Sequence, residues 1–494
     1  MDAERIDRPH PRREPRLSQP LTPEGLAEVF RDCADFAARP LRLGEDRRLT
    51  LCFLDGMVRA ERVSDNVLRP LALNEELRNA PVETLGERLL CGAQFSAAAH
   101  PCATTDQAAA DLVQGWCVLF LPDGSAIGLF AATEEKRAVG QPEDEPAVKG
   151  ARDSFTESVR TNTSLVRRRL RAPELRIREH VVGRQTLTPV DVVWLDGIAD
   201  EATVNEVDRR VAEMDVDGIR TAGDLEEYAA RGTHTAFPLI AATQRPDWFC
   251  SGLLEGRVGL LCEGQPLGWL LPGTVSLFFR TEQDRAQHWV AATALRALRL
   301  LCMAVTLFLP ALFVAVVTFH PEVIPLKLAL SIAQAKREVP FPTALEVVMM
   351  LLSFEVLQEA GLRLPGPFGQ TVSILGGLVV GSAAVEARIV SPAVLIAVAV
   401  AGIAGYTTPS QDFANALRLW RFALTVLAGT AGLLGLALGT AALLGHLAGL
   451  SSCGVPYLAP LEGGAGDAGV VRKPVERQKL RPAMLRPRNR RERK

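Results

Sequence analysis

Hydrophobic residues are concentrated in the C-terminal part of the chain, in runs that are too long for the core of a soluble domain. The longest run extends from Phe422 to Leu450 and holds 29 residues without Asp, Glu, Lys or Arg. A transmembrane helix needs about 20 such residues. A second run, from Ala297 to Phe319, contains Pro310 and has Arg299 near its start. These runs predict helices that cross a membrane.

Three further apolar segments predict additional helices in the same region, at residues 343–362, 368–385 and 393–408. The last of these is short enough to be a half-span. The segment Pro325–Glu338 is interrupted by charged residues, which predicts an amphipathic helix that is interfacial or re-entrant. The pattern therefore predicts an α-helical transmembrane bundle with four or five crossings, and an even number if both termini lie on one side.

The first 285 residues alternate between helix-like and strand-like patterns. Strand-like segments flank turn signals at Pro122–Gly124 and at Glu263–Gly264, which predict two β-hairpins. Mixed elements of this kind predict an α/β soluble N-terminal region of two subdomains, and no sequence repeat relates the two. The expected divisions are a disordered N-terminus at 1–20, soluble subdomains at 21–140 and 150–285, a transmembrane domain at 290–456 and a basic cytoplasmic tail at 457–494.

The net charge of −2 hides an uneven distribution. From Val471 to Lys494 there are eleven Lys and Arg residues against two acids. The positive-inside rule places such a tail in the cytoplasm, although a disordered, solvated tail has the same composition. The N-terminus lacks the apolar segment of a signal peptide, so the span near residue 300 is expected to direct insertion. We expect both termini in the cytoplasm and no nucleic-acid partner.

The nine cysteines form no CxxC pair and no spacing typical of metal ligands. Most lie beside apolar residues, as Cys117 does between Trp116 and Val118, and this is typical of free buried thiols. A reducing compartment is therefore expected for the soluble region, and neither a metal nor a cofactor is predicted.

The sequence patterns argue against an enzyme. There is no phosphate-binding glycine loop, no Gly-x-Ser-x-Gly elbow and no HExxH motif, and the seven histidines are dispersed. A secondary transporter is also disfavoured, because it would normally have about ten spans in two related halves. A membrane subunit without catalytic function remains the prediction.

A series of short motifs occurs in order between about residues 145 and 475. It comprises Phe155-Thr-Glu157-Ser, Thr243-Gln-Arg245-Pro246-Asp247, Leu254-Glu255-Gly256-Arg257, His320-Pro-Glu322-Val-Ile-Pro325, Val339-Pro-Phe-Pro342, Glu359-Ala-Gly-Leu-Arg363-Leu-Pro365, Val390-Ser-Pro392 and Gly454-Val-Pro-Tyr457. In these motifs the chain resembles the A subunits of the GerA-type spore germinant receptors. It departs from them at Glu263-Gly264-Gln265-Pro266, where the family usually has Asp-Gly-Ser/Thr-Pro, and at Asp284-Arg285-Ala286, where it usually has Asp-Tyr-Tyr.

The resemblance implies a multi-pass subunit of the spore inner membrane. Its implied partners are a transporter-like B subunit, where nutrients bind, a lipoprotein C subunit and further copies of itself. It also implies a homo-oligomer that conducts ions when a germinant binds. An accessory A-type paralogue of the dipicolinate-channel operon shares the soluble motifs, and a static membrane scaffold for the receptor complex is a further alternative. The membrane motifs favour the receptor subunit.

Acidic residues within the predicted membrane helices are the candidate functional residues. Ionisable side chains are costly in a membrane and normally face a cavity or a partner. Glu355 and Glu359 share one helix face, and Glu386 closes the next predicted span. We interpret these three acids as a candidate pore or gate. The alternative is structural pairing, of Glu359 with Arg363 and of Glu386 with Arg388.

Two further sets of residues are candidates for contacts between subunits or between domains. The first set has the small-x3-small spacing that lets helices pack closely, within one chain or between chains: Gly377 with Gly381, and Gly435 with Gly439. The second set, Arg167, Arg168 and Arg169, ends a predicted helix. Guanidinium groups suit the carboxylates of a neighbouring unit, and a solvated helix face is the alternative.

Overall fold

The computed structural model describes residues 17–43, 47–73, 80–91, 98–132, 149–230, 234–362, 379–459 and 469–491, with the single residues 75, 140, 142 and 145. The chain forms two compact units. The first comprises residues 1–231, 240–272 and 479–494, and the second comprises residues 232–239 and 273–478. The first unit is α/β and the second is helical, which confirms the predicted fold class.

The first subdomain of the α/β unit is built around one antiparallel sheet. Its described elements are α1 (Pro23–Val29), β1 (Phe36–Leu43), β2 (Arg47–Leu54), α2 (Ala60–Val63), a π-helical segment (Ser64–Leu68), α3 (Arg69–Leu73), α4 (Val82–Cys91), β3 (Ala99–Cys102), α5 (Thr105–Leu112), β4 (Trp116–Phe120) and β5 (Ala126–Phe130). The strand order is β1-β2-β4-β5-β3. The predicted β4–β5 hairpin turns at Gly124, whose φ of +86° favours glycine.

Helices cover both faces of this sheet. Side chains alternate between the faces along a strand, so Val118 and Leu119 of β4 belong to different cores. One core is formed with α2, α3 and α4, and the other with α1 and α5. Burial on both faces explains why β4 is apolar at every position.

The second subdomain contains a second antiparallel sheet. Its described elements are α6 (Val159–Arg169), β6 (Leu175–Val182), β7 (Thr188–Leu195), α7 (Glu201–Ala212), α8 (Ala222–Ala229), β8 (Ala241–Thr243), α9 (Pro246–Glu255), β9 (Val258–Cys262) and β10 (Gly268–Leu271). The strand order is β6-β7-β9-β10-β8. The β9–β10 hairpin turns at Glu263–Gly264, as the sequence predicts.

The two subdomains repeat one architecture. In each sheet the first strand is followed by the second, fourth, fifth and third. Each has a helix before its first strand, helices between its second and third strands, and one helix between its third and fourth. The sequence shows no such repeat, because a core of this kind tolerates many combinations of apolar residues if volume and patterning are kept.

The second unit is mostly helical. Its described elements are α10 (Val275–Phe278), α11 (Glu282–Ala286), α12 (Trp289–Phe319), a 3-10 segment (Pro321–Val323), α13 (Leu326–Lys336), α14 (Thr343–Leu362), a helical segment at residues 379–386, α15 (Pro392–Gly405), α16 (Gln411–Gly449), two short strands, β11 (Ser451–Ser452) and β12 (Val455–Pro456), and a second 3-10 segment (Val475–Arg477). By length and composition, α12 and α16 can cross a membrane, and α15 is apolar but shorter. Most of the span predicted at 368–385 lies outside the described residues.

Helix α16 reverses direction at Gly432, where φ is +59° and ψ is −138°. The rings of Trp420 and His446 are 5.9 Å apart, whereas a straight helix would separate these residues by about 39 Å. The apolar run Phe422–Leu450 is therefore not the single uninterrupted span that its composition predicts. It forms part of a helical hairpin, because glycine readily adopts a backbone conformation that other residues avoid.

The chain enters and leaves the helical bundle at the same end of the second unit. The Phe278 ring of α10 stacks on the Phe413 ring of α16 at 5.7 Å, and the Tyr457 ring, beyond α16, lies 6.2 Å from Phe278. The Phe237 ring lies 5.6 Å from Phe413 and 6.4 Å from His446. This aromatic cluster thus joins segments from before and after the helices.

Candidate functional site

Three acidic residues of α14 occupy three different environments. Glu346 is fully buried, Glu355 is partly exposed and Glu359 is exposed. With about 3.6 residues per turn, Glu346 and Glu355 point to opposite sides of the helix, and Glu359 lies one turn beyond Glu355. One helix thus carries three carboxylates that differ in their exposure to solvent.

Glu346 lies against the N-terminus of α15. Its Oε2 accepts a hydrogen bond of 2.9 Å from the backbone N–H of Ser391, where the helix dipole favours a negative charge. Its Oε1 has no hydrogen-bond partner within the described part of the chain. The side of α14 opposite Glu355 thus faces the interior of the unit.

Glu355 is paired with α16. The guanidinium of Arg421 donates to its Oε1, and Nη1 of Arg418 lies 3.7 Å from its Oε2. The Arg421 side chain is only 5% exposed. Opposite charges inside a membrane bundle normally pair in this way. Glu355 therefore connects α14 with α16 through this ion pair.

Glu359 lies on the exposed side of α14. Leu352 and Val356 on the same side are 58% and 61% exposed, and the spacing of four and seven residues aligns them with Glu359 in one stripe. We call these three residues the α14 stripe. Arg363, the predicted partner of Glu359, lies outside the described residues.

Glu386 is exposed at the end of the helical segment 379–386. Arg388, its predicted partner, pairs instead with Glu338 at 3.2 Å. Within one chain the structure does not bring Glu355, Glu359 and Glu386 together into a single site.

The three described candidate glycines pack within the chain. A Cβ added at Gly381 would lie 2.9 Å from a leucine of α15, and a Cβ added at Gly439 would lie 2.6 Å from a leucine in the first half of α16. At Gly435 an added Cβ would collide with the backbone of that first half. Gly435 and Gly439 therefore allow the two halves of α16 to approach each other. Gly377 lies outside the described residues.

The three arginines that end α6 also differ in environment. Arg167 is fully buried, and its Nη2 and Nε donate to the two carboxylate oxygens of Asp35 in the first subdomain, the Nη2 bond being 2.8 Å long. Arg169 donates to Asp153 nearer the surface, and Arg168 is partly exposed. Of the three, Arg167 thus links the two subdomains.

Sequence reasoning missed a charged cluster at the start of α12. The carboxylate of Asp284 accepts hydrogen bonds from Arg299 at 2.7 Å and from Arg296 at 3.2 Å. Burial acts to raise the pKa of Asp284, but these hydrogen bonds and charges hold it below its usual range. Arg472 of the basic tail donates to the Asp284 carbonyl at 2.9 Å. The available signal was an acid followed twelve and fifteen residues later by arginines.

The family described as "Bacillus/Clostridium GerA spore germination protein" matches residues 24–484. The chain belongs to the GerA family. Among GerA relatives, "Uncharacterized membrane protein YfkQ" of Bacillus subtilis (strain 168) is 35% identical over 446 residues, which cover 90% of this chain and 86% of the relative. "Spore germination protein KA" of the same organism is 34% identical over 455 residues, which cover 90% and 83%.

A crystal structure of the N-terminal domain of the A subunit of the Bacillus megaterium spore germinant receptor GerK3 aligns with 50% of this GerA chain and 91% of that chain, with a TM-score of 0.39 and 24% identity. The match to the GerA family includes residues of both units. Membership supports a role in spore germination, and GerA proteins are not a known family of enzymes. The resemblance drawn from the motifs is thereby confirmed.

Proposed function

We propose that this chain is the membrane subunit of a nutrient germinant receptor in the spore inner membrane, where it forms a homo-oligomer with a germinant-gated ion path. Its partners would be a transporter-like B subunit, which binds the nutrient, and a lipoprotein C subunit. GerA membership and the relatives named as spore germination proteins support this setting. The chain would then convert nutrient binding by a partner into ion release.

The outer surface of the helical unit supports its placement in a membrane. Large apolar side chains point outward from several helices, and among them Leu301, Ile403, Leu434 and Leu438 are each at least 60% exposed. Contact of such residues with water costs roughly 25 cal/mol per Å² of apolar surface. Lipid tails or neighbouring subunits would remove this cost.

The path of the chain supports placement of the two ends of the helical region on one side of the membrane. The aromatic cluster of Phe237, Phe278, Phe413, His446 and Tyr457 joins the start and the end of the helical region. Because α16 reverses at Gly432, its last residues return towards its first. An even number of crossings follows from this arrangement if the bundle spans the membrane.

The observation that carries the proposed ion path is the α14 stripe. Its members Leu352 and Val356 are apolar and exposed, and Glu359 is an exposed acid on the same side. Rings of apolar side chains can gate a pore by dewetting, and rings of acids favour cations. In a ring of identical chains, the α14 stripes would provide both features in one channel.

Spores that carry Glu359→Gln test this path. We expect slower release of monovalent cations after nutrient addition, with the protein level in the spore membrane unchanged. Glu346→Gln makes the same chemical change at a buried position of the same helix, and we expect it to lower the protein level instead. If Glu359→Gln spores release ions and germinate like the parent, the ion path does not follow the α14 stripe.

Deletion of the gene separates the receptor subunit from the accessory paralogue. Loss of the response to one class of nutrient, with other responses intact, supports a receptor subunit. A uniform delay in ion and dipicolinate release with every nutrient supports the accessory function.

A further inference from the structure

Three side chains with metal-binding atoms meet in the first subdomain, on the sheet face covered by α1 and α5. His100 and Cys102 lie two residues apart on β3 and so point to the same face, and Asp111 comes from α5. Asp111 Oδ2 lies 2.8 Å from His100 Nε2 and 3.3 Å from Cys102 Sγ. All three ligand atoms are within 4.8 Å of one another.

Gly128 has no side chain, and the space where a Cβ would lie is bordered by the His100 ring and the Asp111 carboxylate. It lies opposite His100 in the β3–β5 pairing. A Cβ at this position would lie 2.9 Å from His100 Cε1 and 3.2 Å from Asp111 Oδ2, so a larger residue would push the imidazole and the carboxylate apart. The Trp116 ring packs against the imidazole in a T-shaped arrangement, with ring centroids 4.6 Å apart. Gly128 of β5 and Trp116 of β4 thus lie directly beside this group of side chains.

The charge balance of the group favours a cation. The Asp111 side chain is 11% exposed and has His100, 20% exposed, as a hydrogen-bond partner, while Cys102 is buried. A buried carboxylate is strongly disfavoured without a compensating positive charge. A divalent ion would compensate a thiolate and a carboxylate together, and the exposed part of His100 leaves the group reachable from solvent.

We propose that His100, Cys102 and Asp111 bind one Zn²⁺ ion, with water as the fourth ligand. Zinc holds nitrogen, oxygen and sulfur ligands tetrahedrally at about 2.0 to 2.3 Å, which separates the ligand atoms by roughly 3.2 to 3.6 Å. The distance of 3.3 Å between Cys102 and Asp111 lies in this range. The closer contact between His100 and Asp111 would open by about half an ångström.

The bound ion would link β3, the edge strand of the sheet, to α5. His100 Nδ1 has no hydrogen-bond partner in the described part of the chain, so the outer bond that usually strengthens a histidine ligand is missing. We therefore expect weaker binding than at a four-ligand structural zinc site. Spacing along the sequence did not indicate this site, because the third ligand comes from a different element.

Zinc content of the full-length protein in detergent tests the site. After zinc loading and transfer to metal-free buffer, we expect about one zinc per chain in the parent. Cys102→Ser and Asp111→Asn should bind zinc at least about tenfold more weakly, since even an outer-shell substitution has that effect. Cys117→Ser, which changes a buried thiol in the other core of the same sheet, is the matched control and should match the parent.

Cobalt substitution gives a readout that does not depend on the folding of a variant. The parent loaded with Co²⁺ should show a thiolate-to-cobalt charge-transfer band, and zinc should abolish it. Cys117→Ser should keep the band. A folded parent that binds no zinc, that shows no such band with cobalt, or whose zinc affinity equals that of Cys102→Ser would overturn the proposal.

Discussion

Arg167 of α6 is fully buried and donates to both carboxylate oxygens of Asp35, the residue that precedes β1. Beside this ion pair, the backbone N–H of Ala34 donates to the carbonyl of Ile177 at 2.8 Å, and the Ile177 N–H donates to the carbonyl of Asp32 at 3.1 Å. A bidentate ion pair and a short backbone bridge thus connect the two repeated subdomains.

We expect Arg167→Met to reduce the free energy of unfolding of the α/β unit by about 3–5 kcal/mol, because the carboxylate of Asp35 would remain buried without its partner. Thermal and denaturant unfolding of the full-length protein in detergent would measure the loss. Arg169→Met removes the more exposed partner of Asp153 and should cost no more than about 1 kcal/mol. Similar losses for the two variants would contradict the expectation that the buried ion pair contributes more to stability than the exposed one.

The pair between Glu355 and Arg421 should behave as a packing element. Glu355→Gln leaves the charge of Arg421 unbalanced, and Arg421→Gln leaves the charge of Glu355 unbalanced. Both variants should therefore lower the protein level in the membrane. Exchanging the charges, with Glu355→Arg and Arg421→Glu together, should restore part of that level. Immunoblots of spore membranes measure it, and parental levels in both single variants would show that the pair is dispensable.

Gly432→Ala should destabilise the helical unit by about 1–3 kcal/mol, because a non-glycine residue is strained in this conformation. The added Cβ would also lie 2.9 Å from the ring of Phe319. Gly445→Ala is the matched control in the same helix, since a Cβ there meets nothing within 4 Å. Protein level and detergent melting temperature should fall for the first variant only.

The reversal of α16 can be tested directly by cross-linking. Cysteines placed at Trp420 and His446 should form a cross-link in the membrane, because the two native rings are 5.9 Å apart. A straight helix would hold these positions about 39 Å apart. Failure to cross-link in a chain that reaches the membrane at the parental level would contradict the hairpin.

Asp191 should make the stability of the α/β unit depend on pH. Its side chain is fully buried, and neither carboxylate oxygen has a hydrogen-bond partner among the described residues. Burial raises the pKa of Asp191 to about 7, although the Arg160 guanidinium acts to lower it. In the unfolded chain an aspartate titrates near pH 4. Stability from this group is therefore greatest below about pH 4 and falls until about pH 7.

Asp191→Asn cannot ionise, so its gain in stability over the parent should be clearly larger at pH 8 than at pH 5. Melting temperatures of the full-length protein at the two pH values measure this. Asp208→Asn is the control, because Asp208 pairs with Arg178 at 2.9 Å and with His180 at 2.7 Å, and it should give no gain at pH 8. An equal effect of Asp191→Asn at both pH values would exclude ionisation as the cause.

Local patterns were sufficient for the order and type of the regions. The bounds of α14 agree with the apolar segment 343–362, and the hairpins at Gly124 and Gly264 occur at the predicted turns. Run length, helical period and turn residues are properties of neighbouring positions, so they can be recognised without a fold. The ordered motifs likewise identified the family from sequence alone.

The sequence by itself thus determined an α/β region followed by apolar helices, and GerA membership. Only the tertiary structure decided the partners of the charged residues: Asp35 for Arg167, Arg421 for Glu355, and the meeting of His100 with Asp111. It also decided the architectural repeat and the reversal of α16. These features depend on which distant elements pack together. That choice is set by the combined burial and charge balance of the whole fold, which no local pattern contains.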